Sequence, residues 1–249
     1  MNDSAEQLAF DFPEPTLPQW AKQIVVFDTE TTGLVLTDAR IVTACIAELD
    51  ENGKVVSNFE EWLANPGIEI PTAASNVHGV TTEAAIRDGR PAKDVVDEVI
   101  SVLRDYLNRG IPVVAYNAPY DFTILHYEAL RHGLEPLDLD GMPILDPLVL
   151  DKKTERYRKG KRNLETVASL YQVKLDDAHN ATADAVASGR VLQALARKHS
   201  LELDFSATEL HDQQKAWSLA QDESFEGYMR QSVNPDFTIQ RGWPLKLSN

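Results

Sequence analysis

Short apolar runs bounded by turn residues dominate the first half of the chain. Runs of this kind are typical of buried β-strands. The Asn52-Gly53 dipeptide between two of them is a strong signal for a tight hairpin. The pattern predicts strands over residues 24–30, 41–49, 54–63, 111–115 and 144–145.

Apolar residues three or four positions apart predict helices, which alternate with strands further along the chain. The predicted helices cover residues 81–87, 93–107, 119–132, 163–171 and 181–198. Small residues recur through the last of these, so that it can approach a sheet closely. Hairpin strands followed by alternating strands and helices predict an α/β fold, a mixed β-sheet flanked by helices.

Composition and charge divide the 249 residues into three zones. Residues 1–20 contain acidic residues and prolines but no Lys or Arg, which predicts an extended acidic tail. Residues 21–200 are expected to form the main domain. Residues 201–249 are expected to form a C-terminal helical extension, in which a rough apolar stripe over 210–229 either packs on the core or binds a partner.

The net charge of −15 argues against nucleic acid as a partner, because phosphate-binding proteins are usually basic. About half of this charge lies outside the main domain, and one segment, 152–162, is rich in Lys and Arg. That segment is interpreted as a flexible arm for a single strand or as a solvated loop. The single cysteine, Cys45, lies in an apolar run and is expected to be buried.

Two sequence features bear on localisation. No apolar run reaches the ~18 residues that a membrane span needs. The acidic N-terminus also lacks the pattern of a signal peptide. We therefore expect a cytoplasmic protein with no membrane partner.

Four carboxylates and a histidine fall at predicted strand ends and helix starts. Asp28 and Glu30 share one face of the first strand, roughly 7 Å apart along it. Asp121 falls in a first helical turn, Asp184 lies one turn inside a helix, and His179 precedes that helix. Taken singly, these residues have ordinary structural interpretations, such as solvated acids or a surface histidine. Together they suit phosphoryl transfer with two Mg²⁺ ions, in which the histidine takes the proton of a water.

Three motifs carry a resemblance to a known family: Phe-Asp-Thr-Glu-Thr-Thr-Gly-Leu at 27–34, Asn-Ala-Pro-Tyr-Asp-Phe at 117–122 and His-Asn-Ala-Thr-Ala-Asp-Ala at 179–185. Over residues 22–198 the sequence resembles the DEDDh (DnaQ-like) 3′→5′ exonucleases, which include the proofreading ε subunit of bacterial DNA polymerase III. The resemblance implies an RNase H-like fold and release of nucleoside 5′-monophosphates from 3′ ends.

The resemblance also implies residue roles. The metal ligands for two divalent cations, Mg²⁺ or Mn²⁺, would be Asp28, Glu30, Asp121 and Asp184, and the general base would be His179. The substrate contacts would fall on Thr31, Thr32, Gly33, Leu34, His78 and Asn117. Tyr116 departs from the family pattern, which often has His there, and this puts one substrate contact in doubt.

Three functions stay open on the sequence alone. The first is a proofreading or repair exonuclease acting on single-stranded or frayed DNA. The second is an enzyme of the same chemistry that trims RNA ends or degrades oligoribonucleotides. The third is a non-catalytic scaffold that binds a polymerase or a clamp.

The hexamer Gln7-Leu8-Ala9-Phe10-Asp11-Phe12 resembles peptides that dock on the bacterial sliding clamp. Short motifs of this kind often occur by chance. The alternative is that its apolar residues pack on the domain. The hexamer and the polymerase-related motifs make a sliding clamp and a DNA polymerase the candidate protein partners.

Overall fold

The computed structural model describes residues 16–174 and 181–247, and its centre is a six-stranded mixed sheet. The strands are β1 (Ile24–Thr31), β2 (Ile41–Leu49), β3 (Val55–Asn65), β4 (Arg90–Pro91), β5 (Val113–Val114) and β6 (Ile144–Leu145). They lie in the order β4-β3-β2-β1-β5-β6. The pairs β1–β2 and β2–β3 are antiparallel, whereas β1–β5, β5–β6 and β3–β4 are parallel. The predicted mixed sheet is confirmed.

Eight α-helices are seen in the described part of the chain. They are α1 (Thr72–His78), α2 (Thr82–Asp88), α3 (Ala92–Asn108), α4 (Pro119–Arg131), α5 (Pro147–Thr154), α6 (Leu164–Leu170), α7 (Ala181–Lys198) and α8 (Ala207–Ser232). None of them is long and apolar enough to cross a membrane. The predicted helices agree within one or two residues, and the apolar stripe over 210–229 lies within α8.

The alternation of β1 assigns its side chains to two separate cores. Val25 and Phe27 pack in a core with α3 and α4, whereas Ile24 and Val26 pack in a second core with α7. Continuing this alternation beyond Phe27 directs even-numbered side chains towards α7 and odd-numbered ones towards α4. The two acids at the end of β1, Asp28 and Glu30, therefore face α7, whereas Thr29 between them faces α4.

Helix α7 packs tightly on β1 and β2, as its small residues predicted. A Cβ atom on Gly189 would lie 2.5 Å from Cγ1 of Val26 and 2.6 Å from Cδ1 of Leu49. These distances are too short for a real contact, so the helix could not sit this close with any larger residue there. Cys45, on β2, is fully buried, as expected.

The structure differs from the sequence prediction at β5, α1 and α5. The strand predicted over 111–115 shortens to two residues, because Pro112 has no N–H to donate, although its carbonyl accepts from Val25 N–H at 2.8 Å. Helices α1 and α5 had no predicted counterpart.

The prediction of a flexible arm over 152–162 is wrong for four of its basic residues. Lys152 and Lys153 lie on α5. Arg158 donates to the fully buried carboxylate of Asp151 at 2.7 Å, and Arg162 pairs with the same oxygen. A buried carboxylate needs cationic partners, so these arginines serve the fold.

Both predicted appendages contribute residues to the packed structure. Trp20 is buried and donates its indole N–H to the carbonyl of Leu203 at 3.3 Å. Leu210 on α8 is fully buried, and Trp243 is nearly so. The boundaries at residues 20 and 200 stay predictions.

Candidate active site

The end of β1 carries two half-buried acids beside α7. Asp28 pairs across the sheet with Cys45, and Glu30 pairs with Thr43. The register shifts between Glu30 and Thr31, where the strand ends. This irregularity ends regular pairing immediately after the second carboxylate, as bulges next to functional sites often do.

Asp121 joins this strand end from the first turn of α4, which starts at Pro119. Its side chain is 2% exposed. Oδ1 of Asp121 accepts the backbone N–H of Thr29 at 3.0 Å and the Thr29 hydroxyl at 2.8 Å. The residue between the two acids of β1 therefore holds the third acid in place.

Asp184 completes the group from the first turn of α7. Its charge acts on both Asp28 and Glu30. The four acids predicted as metal ligands thus come from three elements that are far apart in sequence and meet at one end of the sheet.

Burial and nearby negative charges raise the pKa values of three of these carboxyl groups, those of Asp28, Glu30 and Asp121. Burial raises the pKa of Glu30 to about 7, helped by the charges of Asp184 and Asp121. The pKa of Asp28 is well above its usual range, first because of burial and then because of the three other carboxylates. Burial also raises the pKa of Asp121, against the lowering effect of the Thr29 hydrogen bonds. Grouped acids of this kind are stabilised in the ionised form by divalent cations.

The donor set fits hard cations, since all four side chains offer oxygen. Within residues 16–174 and 181–247, no three histidine, cysteine or acidic side chains meet closely enough to cage one ion.

The segment after β1 presents an exposed leucine beside the acids. The Thr31 hydroxyl bonds the Tyr120 hydroxyl, and both contact the carbonyl of Gly33, at 2.9 and 3.0 Å. Leu34 follows, with 85% of its side chain exposed. Leu34 is thus an exposed apolar side chain next to a hydrogen-bonded segment, which suits a contact with the flat face of a nucleobase.

Thr32 closes this segment into a loop. Its backbone N–H donates to the carbonyl of Arg40 at 2.9 Å, and its hydroxyl accepts the Arg40 N–H at 3.0 Å. The base of the Leu34 loop is therefore fixed from both sides.

The two remaining predicted substrate contacts, His78 and Asn117, lie on different elements. His78, at the end of α1, lies near the backbone of Thr31, and its Nδ1 accepts the N–H of Val80 at 3.2 Å. Burial lowers the pKa of His78. Asn117 adopts the left-handed conformation with φ of 63° and is exposed at the turn before α4. The structure brings His78 to Thr31, whereas Asn117 lies on the α4 side.

Tyr116, the residue that departs from the family pattern, has a structural role. Its hydroxyl donates to the carbonyl of Arg162 at 2.6 Å. Burial raises its pKa. The side chain thus ties the turn before α4 to the end of the basic segment.

One functional candidate was missed by sequence reasoning. Asp146, which follows β6, is 1% exposed and accepts the N–H groups of Asn117 and Ala118 at 2.9 and 3.0 Å. The available signal was its place directly after an apolar strand and before Pro147. Nothing in the local sequence shows that the partners of Asp146 lie 28 and 29 residues away.

His179 and the clamp-like hexamer Gln7–Phe12 lie outside the described residues. The assigned roles of His179, the four acids and the substrate-contacting residues stay predictions.

Comparison with known families gives one match across most of this architecture. The family described as Exonuclease, that of RNase T, matches residues 25–192. The chain belongs to this exonuclease family. The matched residues include all four acids and the position of His179. The DEDDh resemblance stated from the motifs is therefore confirmed.

The curated relatives of this chain include DNA polymerases. DNA polymerase III PolC-type of Lacticaseibacillus paracasei is 31% identical over 176 residues, which is 71% of this chain and 11% of the relative. The chain therefore spans about a ninth of that relative's length, and the likeness concerns a single region of it.

Solved exonuclease structures share the fold. E. coli exonuclease I in complex with a dT13 oligonucleotide has a TM-score of 0.64 at 16% identity, covering 80% of this chain and 46% of that one. Exonuclease X in complex with 5′ overhanging duplex DNA has a TM-score of 0.54 at 19% identity, covering 77% and 99%. The RNase H-like exonuclease fold is confirmed.

Proposed function

We propose that this protein is a metal-dependent 3′→5′ exonuclease that releases nucleoside 5′-monophosphates from single-stranded or frayed DNA. The observation that carries the proposal is the meeting of Asp28, Glu30, Asp121 and Asp184 at one sheet end, with pKa values raised at three of them. Strongly perturbed carboxyl groups in a cluster are the usual mark of a catalytic centre. Membership of an exonuclease family supports the same reaction.

The four acids would hold two divalent cations, Mg²⁺ or Mn²⁺. The chemistry supplied by two such ions is activation of a water and stabilisation of the leaving oxygen. Thr29 fixes Asp121 by two hydrogen bonds, and Gly189 lets α7 bring Asp184 close to β1. His179, two residues before α7 in the sequence, would accept the proton of the attacking water, a role that histidine often takes in general base catalysis.

The segment around Leu34 would seat the 3′-terminal nucleotide. Backbone groups of Thr31 and Thr32 would face the terminal hydroxyl, and Leu34 would press on the terminal base. His78 and Asn117 would line the same seat from α1 and from the turn before α4. Support comes from the exposure of Leu34 and from the position of His78 near the Thr31 backbone.

DNA is favoured over RNA because the relative named above is a DNA polymerase and the two structures named hold DNA. A proofreading or repair role follows from this preference. The RNA alternative differs only in how the 2′-hydroxyl is treated.

The test is a time course with single-stranded DNA and RNA of one sequence, labelled at either end, in Mg²⁺. We expect a 5′ label to give a ladder that shortens one nucleotide at a time, and a 3′ label to appear at once as mononucleotide. DNA should be degraded faster than RNA. Faster RNA cleavage would replace the repair role by RNA turnover, and intact substrate with folded protein would favour the scaffold.

The hexamer Gln7–Phe12 is proposed to dock on a sliding clamp. The alternating apolar residues of the hexamer support this, as does a relative that is a DNA polymerase. Deletion of residues 1–15 should abolish binding to a purified bacterial clamp and leave nuclease activity and unfolding temperature unchanged. A lower unfolding temperature would instead mean that the hexamer packs on the domain.

A further inference from the structure

The C-terminal part of the chain reaches the base of the active site through Asp146. This buried carboxylate accepts four hydrogen bonds. Oδ1 receives the N–H groups of Asn117 and Leu148, both at 2.9 Å. Oδ2 receives the N–H of Ala118 at 3.0 Å and the indole N–H of Trp243 at 3.3 Å. An ionised carboxylate only accepts hydrogen bonds, so it can satisfy all four donors at once.

Two of these donors set the entry of α4. Asn117 has a left-handed φ of 63°, a conformation that asparagine adopts more readily than most other non-glycine residues. Ala118 is the N-cap of α4 and has no side-chain cap of its own. Asp146 thus holds the two N–H groups immediately before the helix whose first turn carries Asp121.

Asp146 is in turn held by residues beyond the family match. Gln214 on α8 accepts the backbone N–H of Asp146 at 2.8 Å and donates to the carbonyl of Ile144 at 3.1 Å. His211 on α8 accepts the N–H of Ile144 at 3.3 Å, and its ring packs 5.0 Å from that of Trp243. Gln214, His211 and Trp243 all lie outside residues 25–192.

We propose that Asp146 is a positioning residue for Asp121, and that α8 and Trp243 belong to the catalytic unit because they hold Asp146. This proposal rests on the proposed nuclease function for its effect on turnover. Its effect on metal binding does not depend on the reaction.

The test uses two variants of the full chain. In D146N the amide nitrogen cannot accept a hydrogen bond, so two of the four donors lose their partner. W243F removes one donor and keeps an aromatic ring. The control is E48Q, since Glu48 is a buried acid at the other end of β2 that accepts from Gln23 at 2.7 Å.

Four quantities are measured for each protein: kcat, KM for the oligonucleotide, the Kd for Mn²⁺ from the spin-resonance signal of free Mn²⁺, and the unfolding temperature in EDTA. For D146N we expect kcat to fall and the Mn²⁺ Kd to rise, each by about tenfold or more, the size typical of residues that orient metal ligands. KM should change by less than about threefold, because the variant leaves the contacts that bind the substrate in its ground state unchanged. W243F should show smaller changes in the same direction.

E48Q should lower the unfolding temperature and leave kcat and the Mn²⁺ Kd unchanged. A folded D146N with wild-type kcat and Mn²⁺ Kd would overturn the positioning role. If D146N fails to fold, W243F decides, and wild-type values there would overturn the part played by the C-terminal segment. Absence of cleavage by the wild type would refute the proposed function, whereas the comparison of Mn²⁺ binding would still decide this proposal.

Discussion

Thr29 donates both its backbone N–H and its hydroxyl to the same carboxylate oxygen of Asp121. The two residues are 92 positions apart, so this contact joins the acid-bearing strand to the acid-bearing helix. A hydrogen bond to a carboxylate favours its ionised form, which is the form that binds a cation.

Thr29→Val keeps the shape of the side chain and removes the hydroxyl. We expect the free energy of unfolding to fall by about 1–3 kcal/mol, as for a lost hydrogen bond to a charged group. The pKa of Asp121 should rise further, so activity should need a higher pH. Denaturant unfolding and a pH–rate profile measure both effects. Thr29→Ser retains the hydroxyl and should show a much smaller change in the profile; equal shifts in both variants would contradict the account.

Gly189→Ala tests the close packing of α7 on the sheet. The added methyl group would lie 2.5–2.6 Å from Val26 and Leu49 side-chain atoms. Overpacking of this kind should lower the free energy of unfolding by about 1–3 kcal/mol.

Gly227→Ala on α8 is the matched control, because a Cβ there meets no atom within 4 Å. It should raise the free energy of unfolding by about 0.5–1 kcal/mol, the usual gain in an exposed helix. Thermal unfolding of both variants gives the comparison. A Gly189→Ala protein as stable as the wild type would show that α7 does not need to approach so closely.

His211 should make stability depend on pH. Burial lowers its pKa to about 4 from an ordinary value of 6.5. Between these values the unfolded chain binds a proton that the folded protein excludes, so stability falls as the pH drops from about 6.5 to about 4. The loss from this group is at most about 3 kcal/mol.

His211→Asn retains an acceptor for the Ile144 N–H and cannot be protonated. Subtracting its unfolding free energies from those of the wild type, measured from pH 7 to pH 4, isolates the histidine. Between pH 7 and pH 4, the unfolding free energy of the wild type should fall by more than that of His211→Asn. Parallel curves would mean that His211 is not shielded from protons in the folded state.

Divalent cations should stabilise the protein more at pH 8 than at pH 6. Burial and like charges raise the pKa of Glu30 to about 7, so protons compete with cations at the lower pH. The rise in unfolding temperature caused by millimolar Mg²⁺ should be at least about twofold larger at pH 8. Glu30→Gln should reduce this difference, whereas a rise independent of pH would contradict binding at these acids.

The sequence predicted the strands and helices whose apolar residues repeat regularly. It missed α1, whose seven residues include no buried side chain, and α5, whose charged end resembled a loop. Asp28, Glu30, Asp121 and Asp184 could be proposed from the sequence because each occupies a recognisable local motif. Asp146 could not, because its task depends on Asn117, Gln214 and Trp243, which only the tertiary fold brings together.

The central claim is that acids from β1, α4 and α7 form one catalytic centre. The most direct measurement follows 5′-labelled single-stranded DNA in Mg²⁺ with the wild type, D184N, D121N and, as a control, D97N on the exposed face of α3. The account predicts a ladder of shortened products for the wild type and D97N, and intact DNA for D184N and D121N with unchanged folding. Shortening by D184N and D121N at the wild-type rate would contradict it.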